Sequence, residues 1–386
     1  MKIPQGFSKE NETRVCRLQK SLYGLKQASR NWYHKFTKFL LSINFHQSKA
    51  DHSLFLQDHD DSYIAILIYV DDVIITGNNL DRIQQTKTQL DKAFSIKDHG
   101  PLKYFLGIEV AKTSDGLVLS QRKYVLDILK DSGMLGCKPS SFPIEQNLKL
   151  DRREEEAQVD GTQYRRLVGR LPYLQATRPD VTYVVNVLSQ FVSDPRHSHM
   201  QAMIRVLRYL KGTPGQGILL PRIGEPVLTA FCDSDWLGCP YTRRPRTGYL
   251  LMLGGAPISW KTKKQSVVSR SSAEAEYRAM ASTVSEVLWV RWLFKDLQVV
   301  IDSPTTLFCD NQAARHIANN PVFHERTKHV EMNFFFVRER VSSREVVLMK
   351  IDSKMQVADL LTKGLGTNQL QFLLGKIGVK NLHAPS

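Results

Sequence analysis

Residues 63–76, which read YIAILIYVDDVIIT, contain two β-branched runs on either side of an acidic pair. The runs favour strands, and the break between them predicts a β-hairpin that is buried on both faces. Asp71 and Asp72 lie at its tip. Desolvating two adjacent carboxylates is costly unless cations neutralise them, so we expect this pair to hold Mg²⁺ for phosphoryl transfer. A simple β-turn, in which Asp is common, is the alternative interpretation.

The chain is basic, and its length exceeds that of one ordinary domain. It has 386 residues, with 53 Lys and Arg against 38 Asp and Glu, which leaves a net charge of +15. A prior of about 150 residues per domain predicts two or three domains. The charge excludes an acidic solvating protein and points to polyanions, with nucleic acid ahead of an anionic membrane. Membrane binding is disfavoured because no segment sets Lys and Arg opposite a clean apolar face.

The lack of an apolar targeting segment in this sequence, together with its cysteine usage, suggests an intracellular protein, in the cytoplasm or the nucleus. The longest apolar run, Ile64 to Val70, is far shorter than the ~20 residues that span a bilayer, and the N-terminus has no apolar signal region. Five scattered cysteines favour reduced thiols. We expect neither a transmembrane segment nor a small-molecule cofactor, and the sequence has no signal for an oligomeric state.

Helical and strand patterns alternate along the chain and predict an α/β and α+β multidomain protein. A helix is expected over 29–41, and helical patterns dominate from Gln121 to a boundary near Gly215. The remainder predicts strands at 227–232, 248–253 and 258–261, a long helix at 272–297, and strands at 306–309 and 345–350. Ser271 and Glu274 form a capping-box pattern at the start of the long helix.

A second acidic set occurs at the ends of separate elements in the C-terminal part. Strand ends of an α/β sheet meet at one edge, so carboxylates placed there can converge. Three or four carboxylates around two ions ~3.5–4 Å apart would activate a water and stabilise the leaving 3′-oxygen. Singly, each residue has an ordinary reading as a strand-end or helix-cap residue. The set consists of Asp233, Glu276, Asp310 and Asp359. Cys232 and Cys309 precede two of these and should point the other way, into the core.

Several motifs, in order along the chain, resemble the copia-type retrotransposon polyproteins, in which reverse transcriptase is followed by ribonuclease H. These motifs run nearly end to end. They are VCRLQKSLYGLKQ at 15–27, YVDD at 69–72, LGIEV at 106–110, TRPD at 177–180, RYLKGT at 208–213, SAEAEY at 272–277 and TKH at 327–329.

The resemblance implies a domain order and a set of partners. Residues 1–120 would be a partial reverse-transcriptase palm, 121–215 thumb or connection helices, 225–366 a ribonuclease H-like mixed-sheet domain, and 367–386 a C-terminal tail. The implied cofactor is Mg²⁺, with Mn²⁺ as a substitute. The implied partners are nucleic acids, namely an RNA–DNA hybrid and a template–primer.

The resemblance also implies roles for individual residues. Asp71 and Asp72 match the polymerase metal-site aspartates, and Tyr23 with Gly24 matches the segment that lines the incoming nucleotide. The ribonuclease H carboxylates match Asp233, Glu276, Asp310 and Asp359, all of them catalytic and metal-binding. For His329 the implied role is assistance in product release, and an ordinary surface histidine is an equally good account of it.

The sequence departs from the family pattern at its start and at Pro172. A further polymerase aspartate lies upstream of the family's Pro-x-Gly-Phe stretch, which here is Pro4 to Phe7. We therefore expect a truncated polymerase without activity of its own and a Mg²⁺-dependent ribonuclease H. The alternative is an inert nucleic-acid-binding remnant. Pro172 would cost ~3 kcal/mol in a helix interior.

Overall fold

The chain divides into two compact units, residues 1–99 and 100–386. The computed structural model describes residues 3, 6–7, 13–17, 19, 25, 27–59, 62–152, 154–320 and 328–381, without the side chains of 328–331. Both units mix helices with strands, which confirms the predicted α/β and α+β class.

The first unit is an antiparallel sheet that packs against two amphipathic helices. Buried side chains of Phe36 and Leu40 from one helix and Leu90 from the other meet Phe55 and Ile66 of the sheet. The strand order is β1-β2-β3-β4. The elements are α1 (Ala28–Ser42), β1 (His46–Gln47), β2 (Leu54–His59), β3 (Ser62–Tyr69), β4 (Asp72–Gly77) and α2 (Leu80–Phe94).

The predicted hairpin is present as β3 and β4, but its predicted burial on both faces is wrong for β4. Most of the middle of β3 is buried, whereas the residues of β4 are half-buried or exposed. The described sheet ends at β4, so only one neighbouring strand shields it. Asp71 and Asp72 are both exposed. The desolvation argument for this pair therefore fails.

The second unit holds two further sheets. An antiparallel sheet has the order β14-β8-β7-β6-β5, and a mixed sheet has the order β11-β10-β9-β12-β13, in which β9, β12 and β13 run parallel. The strands are β5 (Tyr104–Phe105), β6 (Ile108–Lys112), β7 (Gly116–Ser120), β8 (Gln216–Pro221), β9 (Leu228–Asp235), β10 (Arg246–Leu253), β11 (Ala256–Lys264), β12 (Thr305–Cys309), β13 (Val346–Lys350) and β14 (Val379–Asn381).

The helices of the second unit surround these sheets. They are α3 (Arg122–Asp131), α4 (Gly161–Val168), α5 (Pro179–Leu188), α6 (His197–Gly212), α7 (Ser272–Asp296), α8 (Gln312–Asn319), α9 (Lys328–Ser342) and α10 (Thr367–Lys376). Short 3₁₀ helices are Leu171–Ala176, Ser189–Phe191, Ser353–Met355 and Val357–Leu361. Within the described residues, no helix is both long enough and apolar enough to cross a membrane.

One buried core joins the helices around α5 to one face of the mixed sheet. Val184 and Leu188 of α5 share this core with Leu250 of β10. Leu361 of the 3₁₀ helix Val357–Leu361 and Leu373 of α10 also belong to it. This core crosses the predicted bounds between 215 and 225 and between 366 and 367. The domain bounds stay a prediction, but the packing of the second unit is continuous across them.

Pro172 does not interrupt a helix. It lies at the start of the 3₁₀ helix Leu171–Ala176, after α4 has ended at Val168. The first turn of a helix tolerates proline because its N–H groups have no partner within the helix. The predicted cost of ~3 kcal/mol therefore does not arise.

Candidate functional site

The mixed sheet and its neighbouring helices bring the four predicted nuclease carboxylates to one place. Asp233 lies near the C-terminal end of β9, and Asp310 directly follows the parallel strand β12. Glu276 lies in the second turn of α7, whose start is capped by the Ser271 hydroxyl accepting from the Glu274 N–H. Asp359 is in the 3₁₀ helix Val357–Leu361.

Hydrogen bonds from the backbone and from hydroxyl groups orient three of these carboxylates. The Ser234 N–H donates to Glu276 Oε1 at 3.2 Å. Ser353 Oγ donates to Asp310 Oδ2 at 2.7 Å. The Thr362 hydroxyl donates to Asp233 Oδ2. The positions of the carboxylates are therefore set by the fold before any ligand binds.

Lys363 places a cation beside this cluster, and the sequence patterns did not predict it. Its Nζ lies 2.8 Å from Asp359 Oδ1 and 3.6 Å from Asp233 Oδ2. Burial alone would lower the pKa of Lys363, but the two aspartates beside it raise that pKa above its usual value. The spacing of four residues between Asp359 and Lys363 was the available signal, because such pairs face each other on a helix.

Burial and mutual repulsion make the anionic form of the cluster costly. Asp233, Glu276 and Asp359 are 2%, 5% and 8% exposed. Burial, followed by the charge of Asp233, raises the pKa of Glu276 well above its usual value. The same two causes raise the pKa of Asp359 to about 7, although Lys363 opposes them. Burial also raises the pKa of Asp233, against the pull of Lys363 and Thr362.

The two cysteines beside the cluster are buried, as the strand alternation predicts. Cys232 and Cys309 have no exposed surface. The Cys309 thiol is near the cluster all the same, since its Sγ and one oxygen each of Glu276 and Asp310 lie within 4.8 Å of one another. Hydrogen bonding to Cys309 and burial raise the pKa of the Cys232 thiol well above its usual value. This favours the neutral thiol over a reactive thiolate.

The donor set of the cluster fits a hard divalent cation. Carboxylate oxygens are the ligands that Mg²⁺ and Mn²⁺ prefer. These four carboxylates supply them, and burial raises the pKa of Asp233 and of Asp359 although Lys363 lies beside both. A bound cation would favour the ionised forms and so remove this cost.

The acidic pair of the first unit, Asp71 and Asp72, lies on the turn of the β3–β4 hairpin. Tyr69 pairs with Asp72, so Val70 and Asp71 form a two-residue turn. Val70 has φ of 53°, in the left-handed region that disfavours β-branched residues. A tight turn in a strained conformation holds the two carboxylates side by side in solvent.

The side chains of three predicted residues lie outside the described part of the structure. Tyr23 and Gly24 lie outside the described residues. His329 lies in α9, but its side chain is outside the described part. Their implied roles stay predictions.

Comparisons with known proteins agree with the residue patterns. Residues 1–146 match the family described as reverse transcriptase (RNA-dependent DNA polymerase). The chain is 43% identical over 98% of its length to the retrovirus-related Pol polyprotein from transposon RE1 of Arabidopsis thaliana, of which it covers 26%. It is 34% identical over 98% of its length to that from transposon TNT 1-94 of Nicotiana tabacum, covering 29%.

A shorter relative is matched over most of its own length. The chain is 32% identical over 74% of its length to the putative transposon Ty5-1 protein of Saccharomyces cerevisiae, covering 94% of that protein. Among solved structures, the foamy viral protease-reverse transcriptase in complex with RNA/DNA hybrid aligns with 86% of this chain and 39% of that one. The TM-score is 0.47 and the identity 11%, which adds no weight to the assignment.

These matches define a transposon-encoded protein with a reverse-transcriptase region. The chain belongs to the family of copia-type retrotransposon Pol polyproteins. It spans about a quarter of the length of the Pol polyproteins that it matches.

Proposed function

We propose that the second unit hydrolyses the RNA strand of RNA–DNA hybrids in a Mg²⁺-dependent reaction of the ribonuclease H type. The observation that carries the proposal is the convergence of Asp233, Glu276, Asp310 and Asp359 from four separate elements. An arrangement of this kind suits phosphodiester hydrolysis, where cations must be held next to the scissile phosphate. The net charge of +15 favours a polyanionic substrate.

The residues of the cluster have distinct parts in this proposal. Asp233, Glu276 and Asp310 would hold Mg²⁺, or Mn²⁺ in its place, and Asp359 would complete the set. When bound, the cations supply charge stabilisation for the transition state and a lowered pKa for the attacking water. Lys363 positions Asp359 and Asp233 through its two contacts. Ser353 and Thr362 orient the carboxylates of Asp310 and Asp233.

For the first unit we propose a part in the polymerase step of the Pol polyprotein. Asp71 and Asp72 are adjacent on one turn, as a pair of polymerase metal ligands would be. Two adjacent carboxylates do not enclose two cations without an opposed third. We therefore expect no primer extension from this chain alone. A purified chain that synthesises DNA from a template–primer with Mg²⁺ would overturn this expectation.

The nuclease proposal is tested by incubating the purified chain with an RNA–DNA hybrid labelled on the RNA strand. We expect cleavage with Mg²⁺, none with EDTA, and none of single-stranded RNA under the same conditions. Salt-sensitive binding of the hybrid without cleavage would favour the second candidate function, an inert nucleic-acid-binding remnant.

A further inference from the structure

A basic cleft lies beside β11, where the mixed sheet ends in the described part of the chain. Its volume is about 450 Å³, and its walls come from β10, β11, α7 and α9. The side chains that matter here are Lys261, Lys263, Arg278, Ser282, Glu286 and Asn333. We call it the β11–α7 cleft.

Two lysines point to one side of β11 and supply the free positive charge of the cleft. Lys261 and Lys263 are two residues apart, so their side chains leave the same face of the strand. Both are exposed, and within the described residues neither makes a hydrogen bond or an ion pair. The next residue, Lys264, faces the other way, where its Nζ donates to Gln190 Oε1 at 2.5 Å. Lys264 also lines the cleft, but its ammonium group is engaged, so Lys261 and Lys263 supply the free ammonium groups.

The acidic groups near the cleft are already engaged. Glu286 accepts hydrogen bonds from Tyr249 at 3.0 Å and from Ser259 at 2.7 Å, which hold its carboxylate against the sheet. Arg278 pairs with Glu274 at 3.0 Å. Hydroxyl and amide groups of Ser282 and Asn333 add neutral donors to the lining. The excess of donors and cations suits an anion.

The cleft is separate from the carboxylate cluster. Residues of α7 are 100° apart around the helix axis, as 3.6 residues per turn require. Arg278, Ser282 and Ser285 therefore share one face, and Glu276 lies on the opposite one. A ligand in the cleft occupies the far side of α7 from the cluster.

We propose that the β11–α7 cleft binds the phosphate backbone of a nucleic-acid strand and so strengthens the hold on the substrate. This inference rests on the proposed function. Side chains two residues apart on a strand are spaced by about 6.8 Å, so the lysines form a row that can contact successive phosphates. Each lysine that neutralises a phosphate releases condensed counterions, which makes its contribution salt-dependent.

The test compares the double variant Lys261→Ala/Lys263→Ala with a control of equal charge change, Lys112→Ala/Lys130→Ala. Both control lysines are exposed, on β6 and α3. The full chain is titrated with a fluorescein-labelled RNA–DNA hybrid in EDTA over a range of salt concentrations, and thermal melts check folding. We expect the cleft variant to lose on the order of ten-fold in affinity at low salt. Its log K against log salt slope should fall by about 1.8, or 0.9 for each contact.

The outcomes separate the cleft from the proposed function. If the cleft variant kept the wild-type affinity and slope, the cleft would not bind the hybrid. If the control variant lost as much affinity, net charge alone would explain the effect. Either result would overturn the proposal. With Mg²⁺, we expect a raised KM and an unchanged kcat for the cleft variant. If no variant cleaves, the nuclease proposal fails, while the binding titration in EDTA still decides the role of the cleft.

Discussion

The two acidic regions of the chain hold their carboxylates in opposite environments. Asp71 and Asp72 are exposed at a two-residue turn, whereas Asp233, Glu276 and Asp359 are buried among groups from separate elements. The hairpin needs only local sequence to bring its pair together. The cluster needs the whole mixed sheet, and burial makes its charges costly until cations bind. Adjacent acidic residues are thus weaker evidence for a metal site than distant ones that the fold assembles.

The largest expected difference between the two regions is in hybrid cleavage. We expect Glu276→Gln to reduce the cleavage rate by on the order of a thousand-fold or more, because it removes one anionic ligand from the cluster. Hybrid binding should be nearly unchanged. The double variant Asp71→Asn/Asp72→Asn is the matched control and should cleave at the wild-type rate. Cleavage assays measure both variants. Activity in Glu276→Gln would refute the assignment of hybrid cleavage to the buried cluster.

Removal of a buried charge should change the free energy of unfolding in opposite directions at two kinds of site. It should lower it where the charge faces an opposite charge, and raise it where the charge lies among like charges. Asp180 is buried, and it accepts from Arg178 at 2.7 Å and from Tyr209 at 2.7 Å. We expect Asp180→Asn to lower the free energy of unfolding by about 3–5 kcal/mol, because Arg178 is left buried without its counter-charge. Asp131→Asn, which breaks a surface pair with Arg170, should cost less than about 1 kcal/mol. Urea denaturation measures both, and equal losses would refute this account.

In the crowded cluster the same type of substitution should stabilise the protein. The pKa of Asp359 is raised to about 7 from 3.8, so the folded protein holds this proton more tightly than the unfolded chain does. The contribution of this carboxyl to stability is therefore fully present below about pH 4 and is lost as the pH rises through about 7. We expect Asp359→Asn to be about 2–4 kcal/mol more stable than wild type at pH 8, because the amide carries no charge that burial can penalise.

The control for this prediction is the same comparison at low pH and with Mg²⁺. Below pH 4 the gain from Asp359→Asn should vanish, because the wild-type carboxyl is then protonated in both states. Saturating Mg²⁺ should also reverse the gain at pH 8, since the cation stabilises the intact cluster. A gain that is independent of pH would contradict the assignment.

The smallest expected effect is at the exposed hairpin. Val70 adopts φ of 53° and is 60% exposed, so glycine would relieve backbone strain with little loss of packing. We expect Val70→Gly to raise the free energy of unfolding by up to about 1 kcal/mol. Thr76→Gly, at an exposed position inside β4, should instead destabilise by a similar amount. Destabilisation by Val70→Gly would show that the turn is not strained.

Much of the architecture could be predicted from the sequence because the signals are local. The two β-branched runs at 63–76 identified the hairpin, and Ser271 with Glu274 identified the start of α7 within one residue. Strand ends pointed to Asp233 and Asp310, and the start of the long helix pointed to Glu276. Lys363 was missed because a lysine four residues after an aspartate is common, and only the approach of Asp233 gives it a second partner.

The sequence by itself determined the family, the basic charge and the places where elements begin and end, because motifs, composition and short-range periodicity carry that information. Only the tertiary structure decided which acidic residues are buried. β4 lies at the described end of its sheet and leaves Asp71 and Asp72 in solvent, while packing around β9 encloses Asp233 and Glu276. Burial depends on neighbours that are distant in the chain, such as Lys363, more than a hundred residues beyond Asp233.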